Sequence, residues 1–259
     1  MDESEINQYN LPRLFELVGV NGAFAKYLRD TDSQAHIPIK RKVLRDFEED
    51  LSSLDDEAWA FFKTKAQSKS CLEGEYSQKA NETPKIAQEK GYGGLHLCRS
   101  WQPLFDLRSE VRGYRYLKSI GCNDVRFIPE NTGQGQQTPD LRGTLGGLTV
   151  LCEVKTINRS DDAVASSFFS LVADEQIKLS DGFFKQISKN IGKSIKQIES
   201  YGSRDNTLKI IYFFFDFDDN LGEYIKYYAC QLDEIKMQYN CRETEILFDY
   251  HPSGYWASP

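Results

Sequence analysis

The sequence predicts an α/β protein, with a helical extension over residues 1–95 followed by alternating helices and strands over residues 96–259. Three observations carry that expectation. Apolar residues recur at helical spacing through the first third, and helix-like and strand-like runs alternate after about residue 104. Between these regions, Ser68 to Gly94 loses hydrophobicity and gathers Ser, Gly, Glu, Lys, Asn and Pro, as connections between folding units do.

In the extension, Leu14, Leu17, Val18, Phe24 and Leu28 mark a helical stretch between Leu11 and Asp30, and a second helical segment runs from about Lys42 to Lys65. Beyond the connection, a helix is expected from about Leu104 to Ile120, ended by Gly121 as a C-cap. Strands follow near Val125 to Pro129, Pro139 to Thr144 and Leu148 to Thr156, and then a helix from Gly182 to Tyr201. The β-branched and aromatic run Leu208 to Phe215 reads as a strand between turns at Asn206 and Asn220. A helix from about Leu221 to Met237 and a strand from Thr244 to Asp249 complete the order. No internal repeat with a period of about 20–50 residues is present, which excludes solenoids and propellers.

Composition narrows the function. The 259 residues hold 32 Lys and Arg against 39 Asp and Glu, a net charge of -7, so a nucleic-acid partner must be held by a local basic surface. The longest apolar run, Ile210 to Phe215, is too short to span a bilayer, and the acidic N-terminus lacks the pattern of a signal peptide. A cytoplasmic protein without a membrane partner is expected. Six cysteines stand apart with no CxxC pair, so they are expected to be reduced and mostly structural, and zinc is not expected. The three histidines, His36, His96 and His251, are mutually distant, which leaves carboxylates to carry any chemistry.

One constellation does so. Gly146-Gly147 between two strand-like runs predicts a two-residue hairpin turn. Counting outward from Leu145 and Leu148 pairs Thr144 with Thr149, Gly143 with Val150, Arg142 with Leu151, Leu141 with Cys152 and Asp140 with Glu153. Two carboxylates then share one face, where a divalent cation would offset their repulsion. Alternation adds Lys155 to that face and sends Val150, Cys152 and Val154 into the expected core, leaving Asp140, Glu153 and Lys155 toward a substrate cleft.

These residues resemble the PD-(D/E)XK nuclease superfamily: Pro139-Asp140, then Glu153-Val154-Lys155, within glycine-bracketed strands. The similarity extends upstream to Glu110 in the preceding helix and downstream to Gln197 and Tyr201, which resemble the QxxxY element of the RecB-like branch. It spans roughly Leu104 to Phe217. The resemblance implies a restriction-endonuclease-like core of order αβββαβ, with a mixed central sheet flanked by helices, and hydrolysis of DNA phosphodiester bonds by metal-activated water. It further implies that Asp140, Glu153 and the Val154 carbonyl hold Mg²⁺, for which Mn²⁺ may substitute, that Glu110 assists a second ion, and that Lys155 positions the water. Gln197 would contact substrate or Lys155. DNA is the expected partner, with a second copy of the chain or an accessory defence, repair or recombination protein beside it. RNA cleavage, or a catalytically silent fold used for nucleic-acid binding or partner docking, are the alternatives.

The helix bearing Gln197 supplies the local basic surface. Lys185, Lys189, Lys193 and Lys196 line one face, Gln186, Asn190 and Gln197 fall beside them, and Phe184, Ile187, Ile191, Ile195 and Ile198 form a buried stripe. With Tyr201, this lysine and amide strip is the expected nucleic-acid interface, the basic Lys40-Arg41-Lys42 segment being its rival. Other patterns are set aside. Gly192-Lys193-Ser194 lacks the earlier glycine and preceding strand of a phosphate loop, and Gly133 and Gly135 lack the third glycine of a dinucleotide fingerprint. Asp216, Asp218 and Asp219 read as turn and capping acids.

Overall fold

The computed structural model of the chain describes residues 10–18, 37–68, 102–129, 138–157, 181–202, 206–215, 225–239 and 243–250. It divides into two compact units, Met1–Val111 and Arg112–Pro259. The boundary expected near residue 95 lies outside the described residues, as do the three histidines and the Asp216 to Asp219 acids.

The first unit holds helices α1 (Pro12–Val18), α2 (Ile37–Ser52) and α3 (Asp56–Ser68), and the first part of α4 (Gln102–Ser119). The single helical segment expected from Lys42 to Lys65 is in fact two helices. Asp55 makes the break: its side-chain oxygen accepts the Ala58 N–H at 2.9 Å, an N-cap that restarts the helix as α3. Leu51, Leu54, Ala58 and Phe62 are buried on both sides of the break, so the hydrophobic period runs through it and conceals it. The buried Glu48 carboxylate accepts the Arg13 and Leu14 N–H groups in the first turn of α1, at 3.0 and 2.8 Å. Residues 19–36, including Phe24 and Leu28 of the expected first helix, are outside the described residues.

The second unit is built on a five-stranded sheet in the order β1 (Asn123–Phe127), β2 (Leu141–Leu145), β3 (Leu148–Ile157), β4 (Thr207–Phe215), β5 (Thr244–Tyr250). The first three strands are antiparallel neighbours; β3, β4 and β5 are parallel. Helix α5 (Asp181–Gly202) carries the chain from β3 to β4, and α6 (Ile225–Tyr239) from β4 to β5, the helical crossovers that parallel strands require. The sheet is therefore mixed and flanked by helices. No helix among the described residues is long and apolar enough to cross a membrane.

Both sheet faces are covered. On one, Leu151 and Ile157 of β3, Ile211, Phe213 and Phe215 of β4, and Ile246 of β5 cluster with Ile187, Ile191 and Ile198 of α5 and Leu232 and Ile235 of α6. Against the other lies the later part of α4, where Gly113 comes so close that a Cβ would stand 2.8 Å from Val154 Cγ2 and 3.1 Å from Leu141 Cδ1. Tyr114 stacks on Phe127 at 5.5 Å, and Tyr116 tilts against Tyr212 at 5.7 Å. Two-sided burial explains why Ile210 to Phe215 is continuously apolar rather than alternating.

Candidate active site

The hairpin that positions the carboxylates forms as its glycines dictate. Gly146 and Gly147 take φ of +57° and +87°, the positive values a type I′ turn needs at both central positions. The register that follows runs from Leu145↔Leu148 to Leu141↔Cys152, pair for pair as counted from the turn. Asp140 stands one residue before β2, and its N–H donates to Cys152 O at 3.1 Å, carrying the ladder toward Glu153. Its carboxylate oxygen Oδ2 accepts the Val154 N–H at 2.8 Å, which fixes it beside β3.

Glu153 is the centre of the arrangement. One carboxylate oxygen, Oε1, accepts from Lys155 Nζ; the other, Oε2, accepts from Gln197 Nε2 at 2.7 Å. Gln197 also donates to the Thr138 carbonyl at 2.7 Å, so a single amide ties α5 to the residues entering β2 and to Glu153. Gln197 thus meets Glu153, where a contact with substrate or Lys155 is what the resemblance implies. Burial, reinforced by the nearby Asp140 charge, pushes the Glu153 carboxyl up to about 8 against the pull of Lys155 and Gln197. The same burial, followed by the charges of Asp140 and Glu153, drives the Cys152 thiol well above its usual range; it is a core residue, not a nucleophile.

The orientation of this group corrects one expectation. Glu153 does not look into an open cleft: it is 2% exposed, and its face is the one packed by α5. Leu151 and Ile157 have the same parity as Glu153 and Lys155 and are buried, a signal that the face belongs to a second core. Solvent is reached at Lys155, whose side chain is 30% exposed.

The remaining candidates separate. On α5, Lys185, Lys189, Lys193 and Lys196 are all exposed, roughly opposite the buried isoleucines. Gln186, Asn190 and Gln197 form the flank between, with Gln186 donating to Asn190 Oδ1 at 3.0 Å. Lys193 lies closest to that flank, about 40° around the helix from Gln197. Tyr201 is half-buried against the core cluster. Gly192, Lys193 and Ser194 fall inside α5, where no phosphate loop can form. Glu110 belongs to the first unit, where Lys65 Nζ meets its carboxylate at 2.6 Å. Cys122 and Cys152 are free and buried, whereas Cys230 is free and exposed on α6.

Among the described residues, no group of three or more His, Cys, Asp or Glu side chains could hold a metal ion. Among the described residues of this site, two carboxylates are brought together, Asp140 and Glu153. Both present hard oxygen donors, and burial together with the like-charged neighbour displaces the Glu153 carboxyl upward. That donor chemistry fits a hard divalent cation.

No family model matches this chain, and no curated protein or solved structure does.

Proposed function

We propose that the chain is a metal-dependent nuclease of the PD-(D/E)XK type, hydrolysing DNA phosphodiester bonds with Asp140, Glu153 and Lys155 as its catalytic set. The observation that carries the reading is the buried Glu153 carboxylate beside Asp140, held by one lysine and one amide. Such an arrangement is poor for stability and suited to chemistry, because a buried carboxylate beside a half-buried one of the same charge is tolerated only where another need is served.

Asp140, Glu153 and the Val154 carbonyl would hold Mg²⁺ or Mn²⁺. When bound, the cation supplies Lewis acidity toward a phosphate oxygen and toward water. The protein does the rest. Val154 N–H holds the Asp140 carboxylate in place, and Gln197 restrains Glu153 at Oε2. Lys155 Nζ, the partly exposed member, offsets charge on the phosphate and orients the attacking water. Covering by α5 excludes bulk water from Glu153, which strengthens each of these interactions.

The test is incubation of linear, circular, single-stranded and branched DNA, with matched RNA, in Mg²⁺, Mn²⁺ and EDTA. Cleavage is expected only with the cations, and Asp140→Asn, Glu153→Gln and Lys155→Ala should abolish it in folded protein. Wild-type activity in any one of these variants would overturn the assignment. A second reading, nucleic-acid binding without cleavage, is favoured by the donors already occupying both Glu153 oxygens. It predicts cation-independent binding that Glu153→Gln leaves intact, with no hydrolysis of any substrate.

A further inference from the structure

Strand β1 contains an irregularity that the hairpin does not explain. Asn123 pairs with Thr144 and Arg126 with Arg142, so three steps along β1 match two along β2. The extra residue is accommodated at Asp124, whose φ is +50°, a left-handed value that Asp tolerates better than most side chains. Without it, regular pairing would set Val125 opposite Arg142 and turn Arg126 toward the face of Leu141, where α4 packs. With the bulge, Phe127 instead takes the position opposite Leu141 and stacks on Tyr114, while Arg126 stands directly across from Arg142.

Both arginines are exposed. Residues opposite one another in an antiparallel ladder share a face, and like charges there destabilise the sheet. Arg142 is also paired with Leu151, two residues before Glu153, so the arginine pair lies on the sheet face of Glu153 and Lys155. Along β2 it is two residues, about 6.7 Å, from Asp140. The bulge thus serves the core through Phe127 and, on the opposite face, aligns two exposed guanidinium groups next to an acid pair.

We infer that Arg126 and Arg142 form a phosphate-gripping pair that holds the nucleic-acid backbone against the β1–β2–β3 face beside Asp140 and Glu153. The inference rests on the nuclease reading above and extends it, because it moves the grip from the lysine face of α5 to the sheet. Guanidinium forks suit this task, since each can offer two parallel N–H donors to one phosphate. Two such groups on adjacent strands would set the register of the strand entering the acid pair, while the outward lysines of α5 add long-range attraction only.

The experiment is a salt titration of the full chain against labelled duplex and single-stranded DNA in EDTA, between about 50 and 200 mM salt. Arg126→Gln/Arg142→Gln should weaken binding and flatten the log affinity against log salt slope by about 1.8, and Arg142→Gln alone by about half of that. Arg126→Lys/Arg142→Lys should restore the slope, and the melting temperature of the double Gln variant should stay close to that of wild type. An unchanged slope in the double Gln variant, with wild-type protein binding DNA, overturns this inference and leaves the nuclease reading standing. A slope lost together with melting temperature, and not restored by the Lys pair, makes the arginines structural and also overturns it. Wild-type protein that binds neither DNA form defeats the nuclease reading and the arginine grip together.

Discussion

In the first unit, Arg108 Nε meets Asp50 Oδ2 at 2.7 Å with each side chain only 1% exposed, and Lys65 meets Glu110 at 2.6 Å in similar seclusion. The buried Glu48 caps α1 through two backbone N–H groups. In the second unit, Glu153 is equally hidden but lies near Asp140, a charge of its own sign. Opposite charges or peptide dipoles neutralise the first set, so those residues hold helices together. Lys155 and Gln197 compensate Glu153 incompletely, because its carboxyl is still pushed up to about 8. Buried charge is therefore matched by opposite charge in one unit and matched only in part in the other.

The widest break in that contrast would come from Arg108→Ala. It leaves Asp50 buried without its guanidinium partner and should cost about 3–5 kcal/mol in urea denaturation. A loss below about 1 kcal/mol would mean that the first unit does not depend on its ion pairs. A divalent cation should act in the opposite sense on the second unit. At about 100 times its Kd, Mn²⁺ should stabilise the protein by about 2.7 kcal/mol, and Glu153→Gln or Asp140→Asn should remove most of the effect. Calorimetry showing undiminished Mn²⁺ binding in both variants would place the cation elsewhere.

Gly113→Ala tests how firmly the sheet beneath the acid pair is held. The new methyl would meet Val154 Cγ2 at 2.8 Å, and a stability loss of about 1–3 kcal/mol is expected, together with reduced cleavage because Val154 N–H positions Asp140. The smallest effect concerns pH. The folded Glu153 carboxyl holds its proton more tightly than its ordinary value of 4.5 would allow. Its contribution is therefore most favourable at low pH and is lost as pH rises from about 4.5 to about 8, where the folded chain must bury the charge. Metal-free Glu153→Gln should flatten that decline and exceed wild type by about 1–2 kcal/mol at neutral pH or above, followed by thermal melts in EDTA. Parallel pH profiles for wild type and variant would show that Glu153 is fully compensated.

The hairpin register was legible because its causes are local: two glycines impose the turn, and every pair from Leu145↔Leu148 to Leu141↔Cys152 follows by counting. The C-cap at Gly121, with φ +87° and Cys122 N–H donating to Leu117 O at 3.0 Å, is local in the same way. The division between α2 and α3 was not legible from period alone, since the cap at Asp55 interrupts the helix without interrupting its apolar stripe.

Chain chemistry alone singled out Asp140, Glu153, Lys155 and Gln197 as candidates among others, and decided the α/β order of the elements that carry them. Tertiary structure decided their surroundings. Alternation along β3 names two faces but cannot say that both are covered, because coverage depends on where α4 and α5 land after crossing the sheet. For the same reason the partner of Gln197 and the burial of Glu153 emerge only when residues far apart in the chain are packed together. The bulge in β1 belongs to this class as well: one left-handed residue at Asp124 changes which side chain opposes Arg142, and only pairing between strands reveals the change.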